Sequence, residues 1–353
     1  MAKVLMKGNE AVAEAIVRAE ADAFFGYPIT PQSEIPEYLS REMPKHGKLF
    51  LQAESELSAV NMLYGAAATG ARVVTSSSSV GIDLMLETIS AMAGIRLPVV
   101  VVDMCRNGPG MGNLEAAQED YHMHANGSYK IPILLPATVQ EAVEMTYEAF
   151  DIAQLYGTPV MVLADGMIGQ MMEGVDFDKL PAHRDMTNAV KWRLCGKGDK
   201  GYKTRITINT VPLYKQQQIL EKELYPLITA KETRFETANI ETADIVICAY
   251  GTASRMAKSI IKDAETELGI KIGLIRPMTA WPYPYAAFEK INPACKAVIV
   301  PEINIIGQMI DDVKIAVRGK YPVYHCGNTV EGMLNEDNIM DSIKTVWKEV
   351  SSK

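Results

Sequence analysis

A chain of 353 residues is too long for one ordinary core, so two domains are expected. Hydrophobic residues make up 48% and charged residues 22%, a globular balance, and the formal charge of -8 argues against a basic nucleic-acid-binding face. The longest apolar run, around Leu97 to Val102, is strand-sized and far short of the roughly 18 residues of a membrane span.

Met1 to Glu10 carries Lys3 and Lys7 without an apolar segment, so no signal peptide and a cytoplasmic location are expected. Gly8 to Glu20 has helical periodicity and Asp22 to Tyr27 reads as a strand. Pro31 stands where a helix starts, its missing N–H costing nothing there, and Gln32 to Arg41 continues that helix. Strand Lys48 to Gln52, helix Glu56 to Thr69 and strand Arg72 to Ser77 follow. Helix Ile82 to Ala93, strand Leu97 to Met104, and the segments Ile131 to Leu135, Val139 to Tyr156 and Pro159 to Ala164 complete the series. Apolar β-branched strands alternating with helices predict an α/β fold, a doubly wound parallel sheet covered on both faces, over residues 1–170.

The pattern breaks over residues 171–242, which are rich in Lys, Arg and Thr and carry an amphipathic piece from Tyr214 to Leu227; this reads as a linker with some structure of its own. A smaller α/β unit fills residues 243–353. Its elements are strand Asp244 to Tyr250, helix Ala253 to Leu268, strand Lys271 to Ile275, strand Ala297 to Pro301, helix Gly307 to Val317 and strand Pro322 to His325.

In open parallel sheets ligands sit outside the carboxyl ends of the strands. Three unusual segments fall at such ends. In Y-P-I-T-P, Pro28 and Pro31 restrict the backbone around Thr30, which either holds that hydroxyl at the rim or simply caps the next helix. In Q-A-E-S-E, Glu54 and Glu56 flank Ser55 at a helix start; such a carboxylate offsets the helix dipole or, at the mouth of a buried helix, shares a proton with a ligand. In V-D-M-C-R-N-G-P-G-M-G-N, Arg106 leaves a buried strand ahead of Gly108, Gly110 and Gly112, and can clamp a carboxylate or lie idle in a surface loop. The hydroxyls of Thr75 to Ser79 are expected to cap the helix after them.

The cysteines, Cys105, Cys195, Cys248, Cys295 and Cys326, are dispersed, which speaks against a disulfide framework and against a zinc or iron–sulfur site. His122 and His124 lie close in sequence, without metal-ligand spacing around them. No G-x-G-x-x-G opens a helix, which counts against a self-contained dinucleotide-dependent dehydrogenase.

Taken together with Q-E-D-Y (Gln118 to Tyr121), L-I-R-P-M-T-A-W-P-Y-P (Leu274 to Pro284) and P-E-I-N-I-I-G-Q (Pro301 to Gln308), these segments resemble the alpha subunit of 2-oxoacid:ferredoxin oxidoreductases. The resemblance is nearest to the 2-oxoisovalerate (branched-chain) type, with the 2-oxoglutarate type next. It implies that the first domain is the pyrimidine-binding half of a thiamine diphosphate site and that residues 243–353 form a transketolase-C-terminal-like domain. It also implies three roles: Glu56 bonds the aminopyrimidine N1′ as the catalytic glutamate, Thr30 contacts substrate, and Arg106 receives the 2-oxoacid carboxylate. Gln32, Ser79-Val80 and Asn107 depart from the family's usual residues. The diphosphate half of a thiamine site carries G-D-G, which is absent here. A beta subunit bearing diphosphate, Mg²⁺ and [4Fe–4S], a gamma subunit, coenzyme A and ferredoxin are therefore the implied partners, with no nucleic acid and no membrane. A non-catalytic scaffold subunit is the alternative from another class.

Overall fold

The computed structural model describes residues 3–108, 110, 114–125, 128–187, 189, 213–328 and 332–352. The larger sheet has seven strands, in the order Thr279–Trp281, Ile133–Leu134, Val160–Asp165, Val100–Cys105, Val73–Ser77, Ala23–Gly26, Leu49–Gln52. All neighbours pair in parallel except the first two. Val73–Ser77, Val100–Cys105 and Val160–Asp165 are buried along their whole length, as strands covered on both faces must be. Successive residues serve opposite cores. Val100 and Val102 pack with helices Gly8–Arg18 and Val139–Tyr156, while Val101 packs with helices Glu56–Ala68 and Leu86–Ile95.

The smaller sheet runs Val323–Cys326, Ala297–Pro301, Ile245–Cys248, Ile272–Pro277, Phe235–Ala238, parallel but for the last strand. Helices Gly251–Leu268, Met309–Val317 and Glu336–Ser351 flank it. This is the doubly wound α/β architecture with a smaller α/β domain expected from the sequence. Strand Met172–Val175 pairs antiparallel with Val4–Lys7, and the amphipathic piece forms helices Leu213–Ile219 and Tyr225–Glu232 joined by a π turn, with Leu224 and Ile228 buried in the first core.

The two domains interlock. Strand Thr279–Trp281, from the C-terminal part of the chain, completes the edge of the larger sheet. Gln118 and Ile303 exchange bonds, the Gln118 N–H donating to the Ile303 carbonyl at 2.8 Å and the Ile303 N–H to Gln118 Oε1 at 3.0 Å. Buried Glu302 accepts the N–H groups of Gln308, Met309 and Ile310 at 2.9–3.1 Å, an anion set at a helix start where those donors are otherwise orphaned. Asp165 accepts the Thr252 N–H at 2.8 Å and its hydroxyl at 2.7 Å across the same junction.

Two local expectations are corrected. The segment from Ile82 to Ala93 is two helices, Val80–Asp83 and Leu86–Ile95, rather than one. Pro31 does not open a helix: the Thr30–Pro31 peptide is cis and the helix spans Glu34–Glu42. The Pro31 carbonyl is taken by side chains, accepting from Asn9 Nδ2 and Gln170 Nε2 at 2.7 Å each, so helical bonding begins later. Among the described residues no helix is long and apolar enough to cross a membrane.

Candidate active site

Parallel pairing brings the carboxyl ends of Ala23–Gly26, Leu49–Gln52, Val73–Ser77, Val100–Cys105 and Val160–Asp165 to one rim. Thr30, Glu56 and Arg106 all follow strands that end there.

Glu56 is the first residue of its helix. Ser55, in extended conformation, caps it by accepting the Ser58 N–H at 3.2 Å. The Glu56 side chain is buried, and its carboxyl lies against Gly81: a Cβ at Gly81 would stand 2.7 Å from Glu56 Oε1 and collide with Ser77 Oγ. Glycine thus gives the carboxyl its place. Glu54 is different. It is exposed, and a bond from the Ser58 hydroxyl at 2.6 Å ties it to its own helix and holds its carboxyl below the usual range.

Arg106 is buried and pinned on its main chain by a bridge to Ala116 and by its N–H donating to Ser79 Oγ at 3.0 Å. Its Nη1 donates to the Thr30 carbonyl at 3.0 Å, whereas Nε is buried without a partner. Thr30 itself is exposed at the rim and does not cap the next helix, whose N-cap is Ser33. The structure therefore brings Thr30 and Arg106 into direct contact, and joins both to Glu56 through the loop from Ser77 to Gly81.

That loop does not cap a helix with its hydroxyls, contrary to expectation. Ser76 Oγ donates at 2.6 Å to Oε1 of Gln32, which is fully buried and so points into the domain. Ser79 donates at 2.6 Å to Asp120, and the hydroxyls of Ser77 and Ser78 are buried without a partner. Gly112 and Cys195 lie outside the described residues; the other four cysteines are buried free thiols. Among the described residues no three His, Cys, Asp or Glu side chains could hold a metal ion.

Sequence reasoning missed Asp103, Asp120 and His124, a buried acid–base cluster behind the loop. Only an aspartate inside an apolar strand and another in Q-E-D-Y hinted at it. Burial pushes Asp103 and Asp120 both up to about 7, and depresses His124.

Chemically, the rim offers a buried carboxyl at a helix start, two unpartnered hydroxyls and an unpartnered guanidinium N–H. Buried polar atoms ordinarily find partners, so this concentration at one rim marks it as a place for a polar ligand.

Residues 14–232 match the thiamine diphosphate-binding family described as "Pyruvate flavodoxin/ferredoxin oxidoreductase, thiamine diP-bdg", and residues 243–339 match "Pyruvate:ferredoxin oxidoreductase core domain II". The ketoisovalerate oxidoreductase subunit VorB of Methanothermobacter marburgensis is 41% identical over 323 residues, spanning 90% of each chain. The 2-oxoglutarate synthase subunit KorA of Archaeoglobus fulgidus is 32% identical, covering 88% of this chain and 90% of its own. Among solved structures, the 2-oxoglutarate:ferredoxin oxidoreductase from Magnetococcus marinus with 2-oxoglutarate, coenzyme A and succinyl-CoA bound superposes with a TM-score of 0.80 at 24% identity. The superposition covers 98% of this chain and 65% of that one, and establishes the shared fold.

Proposed function

The chain belongs to the pyruvate/2-oxoacid:ferredoxin oxidoreductase family, and on that premise we propose that it is the alpha subunit of a 2-oxoisovalerate:ferredoxin oxidoreductase, carrying the pyrimidine half of the thiamine site. The enzyme converts a 2-oxoacid and coenzyme A to acyl-CoA and CO₂, passing the electron pair singly to two ferredoxins with release of a proton. The observation that carries the site assignment is the meeting at one rim of a buried carboxyl on Gly81 and an arginine with a spare, buried Nε.

Bound thiamine diphosphate supplies a nucleophilic thiazolium carbon and a sink for the electron pair released with CO₂. Glu56 would hold the pyrimidine through N1′ and exchange a proton with it, aided by its position at a helix start. Arg106, steadied by the Thr30 carbonyl, would take the 2-oxoacid carboxylate on its Nε edge. Thr30, exposed beside it, would orient the substrate's oxo group. The missing G-D-G and the dispersed cysteines support a beta subunit that brings diphosphate, Mg²⁺ and [4Fe–4S], together with a gamma subunit, and coenzyme A enters as co-substrate. A second reading, 2-oxoglutarate as substrate, is favoured by the 32% identity to KorA.

The test is co-expression with the beta and gamma partners and a dye-reduction assay with 2-oxoisovalerate, 2-oxoglutarate and pyruvate at saturating coenzyme A. A kcat/KM for 2-oxoisovalerate at least about tenfold above the others is expected. Preference for 2-oxoglutarate would replace the main reading by the second, and inactivity toward all three would leave the scaffold alternative.

A further inference from the structure

Behind the rim, two carboxyls unused by this mechanism stand side by side in the core. Asp103 is the inward aspartate of strand Val100–Cys105, and Asp120 precedes helix Tyr121–Ala125; both are buried, and both accept a hydrogen bond from Ser79. Asp120 accepts the Ser79 hydroxyl at 2.6 Å. Asp103 has only the Ser79 N–H, at 3.4 Å, and its Oδ2 finds no hydrogen-bond donor. His124 Nε2 lies 3.3 Å from that oxygen, but the imidazole is itself buried, which disfavours its charged form. From other elements, Asp83, Glu119 and Tyr250 face the pair. Among the described residues no lysine or arginine side chain neutralises it.

Two buried carboxylates held by one serine cannot both ionise without strong repulsion, so they share one proton. The short bond from the Ser79 hydroxyl places the charge on Asp120 and the proton on Asp103, whose one donor is farther off.

Ser79 links this pair to the site. Its φ of 39° is a conformation that side-chain-bearing residues rarely adopt, and its N–H and hydroxyl are both taken by the pair. The same Oγ accepts the Arg106 N–H at 3.0 Å, and two residues on Gly81 abuts the Glu56 carboxyl.

We propose that Asp103 and Asp120 are positioning residues: a proton-sharing carboxyl pair that fixes Ser79 and, through it, the placement of Arg106 and of the Gly81 wall behind Glu56. The inference rests on the roles given above to Arg106 and Glu56. While the proton is held, Ser79 stays bonded to both carboxyls. When alkali removes it, the second charge drives the carboxyls apart and frees the loop. Burial raises both carboxyls, which puts this release at neutral pH and above. Substrate affinity should therefore fall as pH rises.

The experiment compares the wild-type complex with Asp103→Asn, whose amide cannot ionise, and Asp103→Ala. The KM for the 2-oxoacid is followed from pH 6 to 9 at saturating coenzyme A. In wild type it should rise about five- to tenfold with pH, the scale of one misplaced hydrogen bond. In Asp103→Asn the ratio of KM at pH 9 to that at pH 6 should be near one. In Asp103→Ala, KM should be raised at every pH, with kcat less affected. Infrared spectroscopy of the isolated chain gives a readout without turnover: a protonated carboxyl band at pH 6 that fades as pH passes about 7 and is absent from folded Asp103→Asn. The absence of that band in wild type, or an unchanged pH ratio in Asp103→Asn, would overturn the proposal. Failure of the Arg106 assignment is separable, since it shows as an Arg106→Lys variant with normal KM whatever the infrared result.

Discussion

Replacing Arg106 by lysine keeps the charge and removes the planar fork. In the structure one arm of the guanidinium, Nη1, is committed to the Thr30 carbonyl at 3.0 Å, and Nε is buried with nothing to bind. A lysine ammonium is a compact point charge on a flexible stem. It can reach the Thr30 carbonyl or a substrate carboxylate, but it cannot present two fixed donors on one edge. The lost contact is a charge-assisted hydrogen bond, about 1.5–3 kcal/mol, so kcat/KM for the 2-oxoacid should fall about 10- to 150-fold. The assay is dye reduction by the reconstituted complex over a range of 2-oxoacid concentrations. Thiamine diphosphate affinity, measured by titration in the same complex, should change less than about twofold, because Arg106 is assigned to substrate alone. An unchanged KM together with an intact kcat would refute the assignment and return Arg106 to the role of a loop anchor for Thr30.

Glu56→Gln should lower kcat about 10²- to 10⁴-fold while the variant folds and assembles normally, since the amide cannot exchange the proton; a variant keeping more than roughly a tenth of wild-type kcat would move the role elsewhere. Gly81→Ala places a methyl in collision with the buried Ser77 Oγ and 2.7 Å from Glu56 Oε1, so it should cost at least about tenfold in kcat through a displaced carboxyl and also lower the melting temperature by several degrees; a fully active variant would contradict this. Asp165→Ala leaves the buried Thr252 N–H and hydroxyl unpaired at the domain junction, about 1–3 kcal/mol, and calorimetry should show a loss of several degrees; an unchanged transition would mean that water replaces the carboxylate.

What the sequence made legible follows from what local patterns encode. The apolar strands carry the parallel sheet in their composition, because a strand buried on both faces needs no alternation, and Val100 to Cys105 is such a strand. The segment Val139 to Tyr156, marked off in the sequence, is a helix with those bounds, closed in the structure by Gly157 in the left-handed conformation. Thr30, Glu56 and Arg106 stood out because each follows a strand end, and the rim is a consequence of parallel pairing alone. Strand Thr279–Trp281 was hidden, since its partner Ile133–Leu134 lies far away in the chain and the strand spans only three residues. The Pro31 reading failed because side chains of Asn9 and Gln170, from other elements, claim the carbonyl a helix would have used. Asp103 and Asp120 were invisible for a related reason: neither is unusual until the fold sets them against each other in the core.

The placement of unpartnered polar atoms bears on why such a chain is not an enzyme by itself. Folding normally leaves few buried polar groups without partners, because each costs about 1–3 kcal/mol. Here Thr75, Ser77, Ser78, Arg106 and Asn107 all carry one, on neighbouring strand ends. Hydroxyls from one strand end and a guanidinium from the next do not serve the core, where the adjacent Ser76 and Ser79 are fully bonded. They are buried at the strand ends next to the Gly81 wall and the Thr30 carbonyl. A stable domain that tolerates this concentration must recover its cost on binding, and the groups left free are the donors and acceptors that a pyrimidine ring and a 2-oxoacid carboxylate would use. The rim therefore fits the half-site proposed above, with Ser79 tying Arg106 to the two buried carboxyls beneath it.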